Sequence, residues 1–254
     1  MLTVKDEAGR VVRRLTGPVT AGMHRVAWDL RYPAADPTRI EPAGEGTPWD
    51  FVPAGPLAAP GRYAVELARR ADGALTPLAG PVPFEAKTLG QGALPAADRA
   101  ALLAFQQDVA RLQRAVLGAE AVAGETQKRL DHLQQAIFDT PGADPALRAR
   151  AVELEARLRK VDEQLHGDPV RQREQEPAAA GIVDRVQRVV YGTWGSTSAP
   201  TGTQRANYDA AAQLFAPALQ QLQQLVEVDL PQLEKEAEAA GAPWTPGRVP
   251  RWSR

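Results

Sequence analysis

The feature that most constrains this fold is a seven-residue repeat of apolar side chains between Pro95 and Asp139. A second seam lies three residues after the first, at Phe105, Leu112 and Leu133. An a/d pattern sustained for about five heptads predicts a long helix packed lengthwise on other helices. Such a helix would be roughly 65 Å long, which suits a scaffold. The first seam consists of Leu102, Val109, Val116, Ala123, Leu130 and Ile137.

Two glycines weaken this pattern in its middle. Gly118 and Gly124 fall inside the predicted helix, where the second seam shrinks to Ala119 and Thr126. Each glycine costs about 1 kcal/mol relative to alanine in a helix interior. Three outcomes stay open: the helix bends, a neighbour packs closely against the small residues, or the segment breaks into two helices.

A second helix is predicted after Asp144-Pro145, which is a cap followed by a first-turn proline. Gly167 and Pro169 end it, and the polar stretch from Asp168 to Pro177 is predicted to be a loose loop. A short helix then runs from Ile182 to Trp194. The apolar stripe of the second helix is Leu147, Ala151, Leu154, Leu158, Val161 and Leu165.

A last long helix is predicted to open at the capping box Thr201-x-x-Gln204. Pro217 and Pro231 lie inside its pattern and predict kinks. Helix lengths predict an antiparallel bundle of three rods over residues 95–241, its middle rod broken near Pro169 to Pro177. A C-terminal tail follows over 242–254, and its last seven residues, Arg248 to Arg254, are expected to be solvated. The predicted seams of the last helix are Tyr208, Phe215 and Leu222 on one side and Ala212, Leu219, Val226 and Leu233 on the other.

The first ninety residues show the two-residue alternation of strands instead. Turn residues separate the strands, and a Pro- and Gly-rich connection from Tyr32 to Pro60 is expected to be pinned by Trp49 and Phe51. Short strands with turns between them predict a small β-sandwich over residues 1–90, joined by a linker at 91–94. Strands are predicted at Leu2–Lys5, Val11–Thr16, Met23–Leu30, Tyr63–Ala68 and Val82–Ala86.

Composition excludes several classes of function. The chain of 254 residues has no Cys, which excludes disulfides, thiolate catalysis and Cys-ligated zinc. A net charge of −1 gives no basic surface for nucleic acid or anionic membrane. No run of about 20 apolar residues suits a membrane span. The N-terminus lacks a signal peptide's apolar core, so export would depend on a segment upstream, and localisation stays unknown.

Few residues are candidates for chemistry. His24, His132 and His166 are scattered, and neither a metal-binding spacing nor a nucleophile motif occurs. The loop from Gly195 to Gly202 lacks a P-loop ending and is predicted to be a plain capped loop. Asp29 and Glu66 are acidic residues on predicted strands, but a glycosidase needs two carboxylates facing across a cleft. We therefore predict no catalytic, cofactor-binding or metal-binding residue.

A family resemblance is carried by Asp6-x-x-Gly9-x-Val11-Val12-Arg13, Gly22-x-x-x-Val26-x-Trp28-Asp29 and Pro60-Gly61-x-Tyr63-x-Val65-x-Leu67. These motifs resemble the Ig-like domain of the flagellar hook-capping type. The resemblance implies that Trp28 and Tyr63 fill the core, that Asp29 ties down a turn, and that Pro60-Gly61 opens the next strand.

The form Trp28-Asp29-Leu30-Arg31, followed by a Pro-rich loop and a helical segment, resembles the C-terminal end of bacterial sortilin-like proteins. Their N-terminal part is a β-propeller of Asp-box (BNR) repeats, often labelled glycosyl hydrolase. This implies an α+β chain of two domains, an Ig-like sandwich and a helical bundle. The family would place further strands before Leu2, so we expect a sandwich short of a first strand, and a fragment or truncated product.

Three functions stay open on this sequence. The first is a non-catalytic structural or interaction module whose partner is the upstream propeller or another protein. The second, implied only by the family's label, is an accessory or sugar-binding part of a polysaccharide-acting glycoside hydrolase. The third is a coiled-coil oligomerisation protein. Trp49 and Trp252 are the candidates for an exposed contact.

Overall fold

The computed structural model describes residues 1–38, 53–89, 97–250 and 252, and these form an α+β protein. The predicted linker at 91–94, together with Pro95, Trp49 and Phe51, lies outside the described residues. The chain divides into two compact units. We call Met1–Arg111 with Val189–Arg205 the sheet unit, and Leu112–Arg188 with Ala206–Arg254 the helical unit.

The described strands form one antiparallel sheet in the order β2-β1-β3-β4. β1 pairs with β2 across a turn in which Asp6 Oδ1 accepts the backbone N–H groups of Ala8 and Arg10, at 3.0 and 2.9 Å. β1 also pairs with β3, from Leu2 opposite Leu67 to Asp6 opposite Tyr63. The strands are β1 Leu2–Asp6, β2 Val11–Leu15, β3 Gly61–Ala71 and β4 Ala74–Ala86.

β3 and β4 form a hairpin longer than the sequence predicts. Asp72 and Gly73 both have positive φ, at 50° and 79°, which suits a two-residue hairpin turn and its twist. β4 begins at Ala74, although the pattern predicts a strand only from Val82. Pro77, Gly80 and Pro81 interrupt the alternation in the added stretch, which is why the pattern misses it.

The strand predicted at Met23–Leu30 is wrong, because these residues belong to no strand. The face predicted to be buried is so only in its middle: Val26 and Trp28 are half-buried, whereas His24 and Leu30 are exposed. A segment in extended conformation can alternate between buried and exposed residues when one of its sides packs on a sheet, even though it pairs with no strand.

The sheet is covered by a ribbon of two irregular segments, residues 30–33 and 55–58. The N–H of Tyr32 donates to the Pro56 carbonyl at 3.0 Å, and the N–H of Ala58 donates to the Leu30 carbonyl at 2.7 Å. Beneath them lies a small core of Val4, Val12 and Tyr63, against which Trp28, Tyr32, Ala58, Val65, Phe84 and Ala86 pack.

Helix α1 spans Arg99–Phe138 without a break, so the two-helix alternative is wrong. All six residues of its first seam are buried, as predicted. A Cβ added at Gly118 or Gly124 would meet nothing within 4 Å. Close packing against these glycines is therefore excluded as well.

The second seam of α1 is only partly correct. Leu133 is fully buried, but Phe105 and Leu112 are half-buried, while Gln106 and Gln113 are 3% and 4% exposed. A helix of 3.6 residues per turn drifts against a strict repeat of seven, so a residue four after the first seam also faces inward. The Gln106 Nε2 group donates to the Thr193 carbonyl at 2.7 Å, within the sheet unit.

The remaining helices follow in order: α2 Pro145–His166, α3 Pro169–Arg173, α4 Ile182–Thr193, α5 Gly202–Gln224, a π-helical turn Leu225–Asp229, and α6 Leu230–Ala239. All six stripe residues of α2 are buried. The predicted loop after Asp168 contains α3, whose first N–H groups are accepted by the Asp168 carboxylate. The predicted capping box is present, since Thr201 Oγ1 and Gln204 Oε1 each accept the other residue's backbone N–H.

Ion pairs and hydrogen bonds give the helix directions within the helical unit. Gln134 of α1 contacts Glu155 of α2, and Glu120 contacts His166, so the partners progress in opposite directions. Arg150 and Arg157 of α2 pair with Glu236 and Asp229 in the same opposed sense. α2 is therefore antiparallel to α1 and to the segment formed by the π turn and α6.

The last helix corrects one predicted seam. In the first seam Phe215 and Leu222 are buried as expected, and Tyr208 is half-buried. The second seam runs through Ala211, Ala218 and Leu225, one residue before three of its predicted positions, whereas its fourth residue, Leu233, is buried as predicted. The π turn then adds a residue, so that Leu225 and Leu230 are both fully buried five residues apart. This turn precedes Pro231, which lacks the N–H that a continuous α-helix would use.

The described part of the predicted tail is anchored. Thr245 is buried, and the Arg248 Nε group donates to its hydroxyl at 2.9 Å. The Trp244 indole N–H donates to the Arg248 carbonyl at 2.7 Å. Residues 242–248 thus form a folded turn, whereas Val249 and Trp252, beyond it, are 84% and 82% exposed.

We expect Gly118→Ala and Gly124→Ala each to raise the free energy of unfolding by up to about 1 kcal/mol, because alanine is the better helix former and each site is open. Urea denaturation followed by circular dichroism measures this. Gly181→Ala is the matched control and should destabilise, because its Cβ would lie 2.5 Å from the Leu165 carbonyl oxygen. Lower stability in both α1 variants would contradict the prediction.

Candidate functional site

The segment Trp28-Asp29-Leu30-Arg31 is the best-defined motif of the sheet unit. The Trp28 ring centroid lies 5.6 Å from that of Tyr63 and 6.1 Å from that of Phe84, edge-on in both cases. Its Nε1 group donates to the Arg31 carbonyl at 3.0 Å. The ring and its one polar atom thus both serve internal packing, as expected for a core Trp.

Asp29 and Leu30 shape the turn after Trp28. Asp29 Oδ1 accepts the backbone N–H of Arg31 at 3.0 Å. Leu30 has a φ of 58°, an uncommon conformation for a side chain of its size, and its carbonyl accepts the N–H of Ala58. The carboxylate of Asp29 therefore holds a turn, the role that the family resemblance implies for it.

Arg31 joins the cover ribbon to the end of α4, within the sheet unit. Its Nη1 group donates to the carbonyls of Gly55 and Trp194 at 3.1 and 3.0 Å. The last carbonyls of a helix have no N–H partner of their own helix, and a cation there also meets the favourable end of the helix dipole. Sequence reasoning quoted Arg31 only as part of the motif and missed this role.

Gly55 is required where Arg31 binds. A Cβ at Gly55 would lie 2.4 Å from the carbonyl oxygens of Tyr32 and Pro33. Only glycine lets the two halves of the ribbon approach so closely. In the sequence Gly55 stands between Pro53 and Pro56, which indicates a loop. A single sequence does not say which backbone segment such a glycine approaches.

Pro60-Gly61 precedes and opens β3, and Tyr63 lies in the core two residues later. The Tyr63 hydroxyl donates to the Ala59 carbonyl at 2.5 Å. Burial, followed by the charges of Tyr32 and Asp6, raises the pKa of Tyr63 to about 12. Burial also raises the pKa of Tyr32.

The two predicted surface contacts have different outcomes. Trp49 lies outside the described residues. Trp252 is 82% exposed. Sequence reasoning did not single out Trp244, which is 59% exposed although its N–H is bonded within the anchored C-terminal turn.

The other chemical candidates lie apart and have local partners. His24 contacts the Thr20 carbonyl at 2.7 Å, and His132 contacts the Lys128 carbonyl at 2.6 Å. Glu66 pairs with Lys5 at 2.7 Å, whereas Asp29 is occupied by its turn. Over the described ranges, no group of three or more His, Cys, Asp or Glu residues could hold a metal ion.

One groove in the helical unit has defined walls, and we call it the α2–α5 groove. It has a volume of about 450 Å³ and lies between the end of α2, the loop at residues 178–181 and α5. Leu214 and Pro217 form an apolar side, and Glu163 and Asp168 contribute carboxylates. Arg171 also lines it, 3.6 Å from Asp168.

Comparison of the chain with models of protein families, with curated proteins and with solved structures gave no match. Within the part of the chain that the structure covers, no helix combines the length and apolar character that a membrane crossing requires.

We expect Arg31→Ala to lower the free energy of unfolding by about 2 kcal/mol, because a cation bonded to two carbonyls is lost and the carbonyls stay partly buried. Urea denaturation of the sheet unit's tryptophan signal measures this. Arg25→Ala removes an exposed arginine nearby and should change little. Equal midpoints for the two variants would contradict the role of Arg31.

Tyr63 should give a late phase in an alkaline titration. Its pKa in the folded protein is about 12, above the ordinary value of 10.0, so the folded state keeps a proton that the unfolded state loses. Its contribution to stability is therefore complete below pH 10 and declines as the pH rises toward 12. Absorbance of tyrosinate should show this phase, and Tyr63→Phe should remove it. An unchanged titration in that variant would contradict the assignment.

Proposed function

We propose that the chain is a non-catalytic structural or interaction module, resembling the C-terminal region of sortilin-like β-propeller proteins. In this proposal residues 1–90 are an Ig-like domain of the hook-capping type. The helical part is an antiparallel bundle of three rods with a broken middle rod. The partner is a propeller of the same parent protein or another protein.

The observation that supports this best is the use of the polar groups in the family motifs. The Trp28 indole, the Asp29 carboxylate, the Arg31 guanidinium and the Tyr63 hydroxyl each bond a backbone group of the chain itself. A catalytic or ligand-binding group must instead present its polar atoms to a substrate. These side chains thus stabilise loops and turns of the chain itself, which is the role expected of them in a scaffold.

The geometry of the helical unit also favours the bundle. α2 is antiparallel to α1 and to the π turn with α6, and their buried stripes are continuous. The short α3 and the glycines at 167 and 181 interrupt the helical path between α2 and α4, where the middle rod is proposed to break. Long antiparallel rods of this kind hold other domains at a distance.

Genomic sequence immediately upstream of the Met1 codon tests the proposal. An in-frame segment encoding Asp-box repeats is the expected result, and a transcript and protein that carry no such repeats would overturn the link to a propeller. The scaffold role has a separate readout, because isolated protein should hydrolyse no polysaccharide.

The sugar-binding alternative predicts retardation of the protein in gels that contain a soluble polysaccharide such as xylan or β-glucan. Retardation that disappears in Trp49→Ala would favour that alternative over a pure scaffold. Tyr191→Ala, which removes an aromatic ring that is 63% exposed, is the matched control.

A further inference from the structure

The hairpin of β3 and β4 extends beyond the sheet as a two-stranded arm. Pairing of β3 with β1 ends at Leu67, whereas β3 and β4 continue from Ala68 opposite Pro77 to Ala71 opposite Ala74. Every residue from Arg69 to Leu78 is exposed. We call residues 68–79 the β arm. A two-stranded ribbon with both faces in water is marginal by itself, so a covering partner would stabilise it.

The edge of the arm is unsuited to strand addition. β4 lies at the edge of the sheet and contains Pro77, Pro81 and Pro83. Proline has no N–H to donate, and prolines on edge strands protect a sheet against pairing with another chain. A partner that approaches the β4 side of the arm must therefore contact its side chains.

Those side chains combine apolar and basic character. Leu75 and Leu78 are 53% and 59% exposed. Arg70 lies directly opposite Leu75 in the hairpin register, so the two side chains are neighbours on one face. Among the described residues, neither Arg69 nor Arg70 forms an ion pair.

The α2–α5 groove of the helical unit has the complementary chemistry. Leu214, 48% exposed, and Pro217 offer an apolar side, and Glu163 lines the groove without an ion pair among the described residues. Its neighbour Asp168 is already engaged as the cap of α3 and lies near Arg171. Glu163 is thus the carboxylate that is free to receive a cation.

The groove is built to keep its shape. Gly181 is required at its loop, because a Cβ would lie 2.5 Å from the Leu165 carbonyl oxygen. The Gln172 side chain donates to the His166 carbonyl at 2.7 Å, and the Arg185 Nε group donates to the Ala180 carbonyl at 3.2 Å. A preformed groove loses little entropy when it is filled.

We propose that the β arm of one copy of this chain binds the α2–α5 groove of a second copy, with Arg70 paired to Glu163 and Leu75 packed on Leu214 and Pro217. The two surfaces match in charge and in apolar character, and their contact is independent of the proposed function. Arm and groove are different surfaces, so the contact is heterologous and forms either closed assemblies or short open chains. A contact of this small size binds weakly and is weakened by salt.

Sedimentation equilibrium of the full chain over a range of concentrations tests the proposal at low and at high ionic strength. We expect self-association that weakens with salt and that Arg70→Glu weakens by roughly tenfold or more, since a like charge replaces an ion pair. Arg25→Glu changes the same charge at another exposed site and should leave association unchanged. Glu163→Arg should match Arg70→Glu, with Glu153→Arg as its control on the same helix.

Mixing the two charge-reversed proteins gives the decisive result. Arg70→Glu and Glu163→Arg each associate poorly alone, but their mixture restores a complementary pair and should form a mixed complex. Circular dichroism checks that each variant is folded. A wild-type chain that stays monomeric at all concentrations would overturn the proposal. So would association that Arg70→Glu leaves intact, or a mixture no better than its components.

Discussion

Burial of the apolar seam of α1 is the interaction on which the helical part of the structure depends. Its six residues, from Leu102 to Ile137, all lie away from water, and each full burial of an aliphatic side chain is worth about 1.5–3 kcal/mol. The stripe on α2 is equally complete. Charged groups join the helices beside these stripes: Arg129 pairs with Glu234, which is itself buried, and Arg150 pairs with Glu236.

The sheet unit is stabilised differently, by side-chain hydrogen bonds to backbone carbonyls around a small core that contains aromatic rings. Only Val4, Val12 and Tyr63 are fully buried in that core. The irregular cover makes up for this with specific bonds, of which those from Trp28 and Arg31 to backbone carbonyls are the clearest. The polar groups of the Trp28–Arg31 motif thus stabilise a loop of the chain itself.

Much of the helical architecture is predictable because periodicity reports burial directly. The α2 stripe, the first α1 seam and the cap at Thr201 all agree with the sequence pattern. Errors arise in the second seam of each long helix, where the pattern does not decide whether the residue three or four positions after the first seam is buried. The seam of α5 is displaced by one residue, and Gln106 and Gln113 are buried although they are polar, because a strict repeat of seven ignores the drift of a real helix.

Strand predictions fail for another reason. Residues 23–30 alternate because one side faces a core, and alternation alone does not distinguish a paired strand from an extended cover. The first half of β4 is not predicted from the sequence, because its prolines interrupt the alternation of apolar and polar residues. The roles of Arg31 and Gly55 depend on carbonyl groups far away in the chain, which no local pattern encodes.

The π turn at Leu225–Asp229 also constrains how this chain can vary. Its additional residue places Leu230 on the same side of the helix as Leu225, and Leu233 and Ala237 then follow on that inner side. Loss of one residue there would let the turn close as ordinary α-helix, with Leu230 four residues after Leu225 and still on the inner side. Related chains with α6 in the same place should therefore tolerate the loss of a single residue in this turn far better than the loss of two, which would rotate Leu230, Leu233 and Ala237 away from the interior by about 100°.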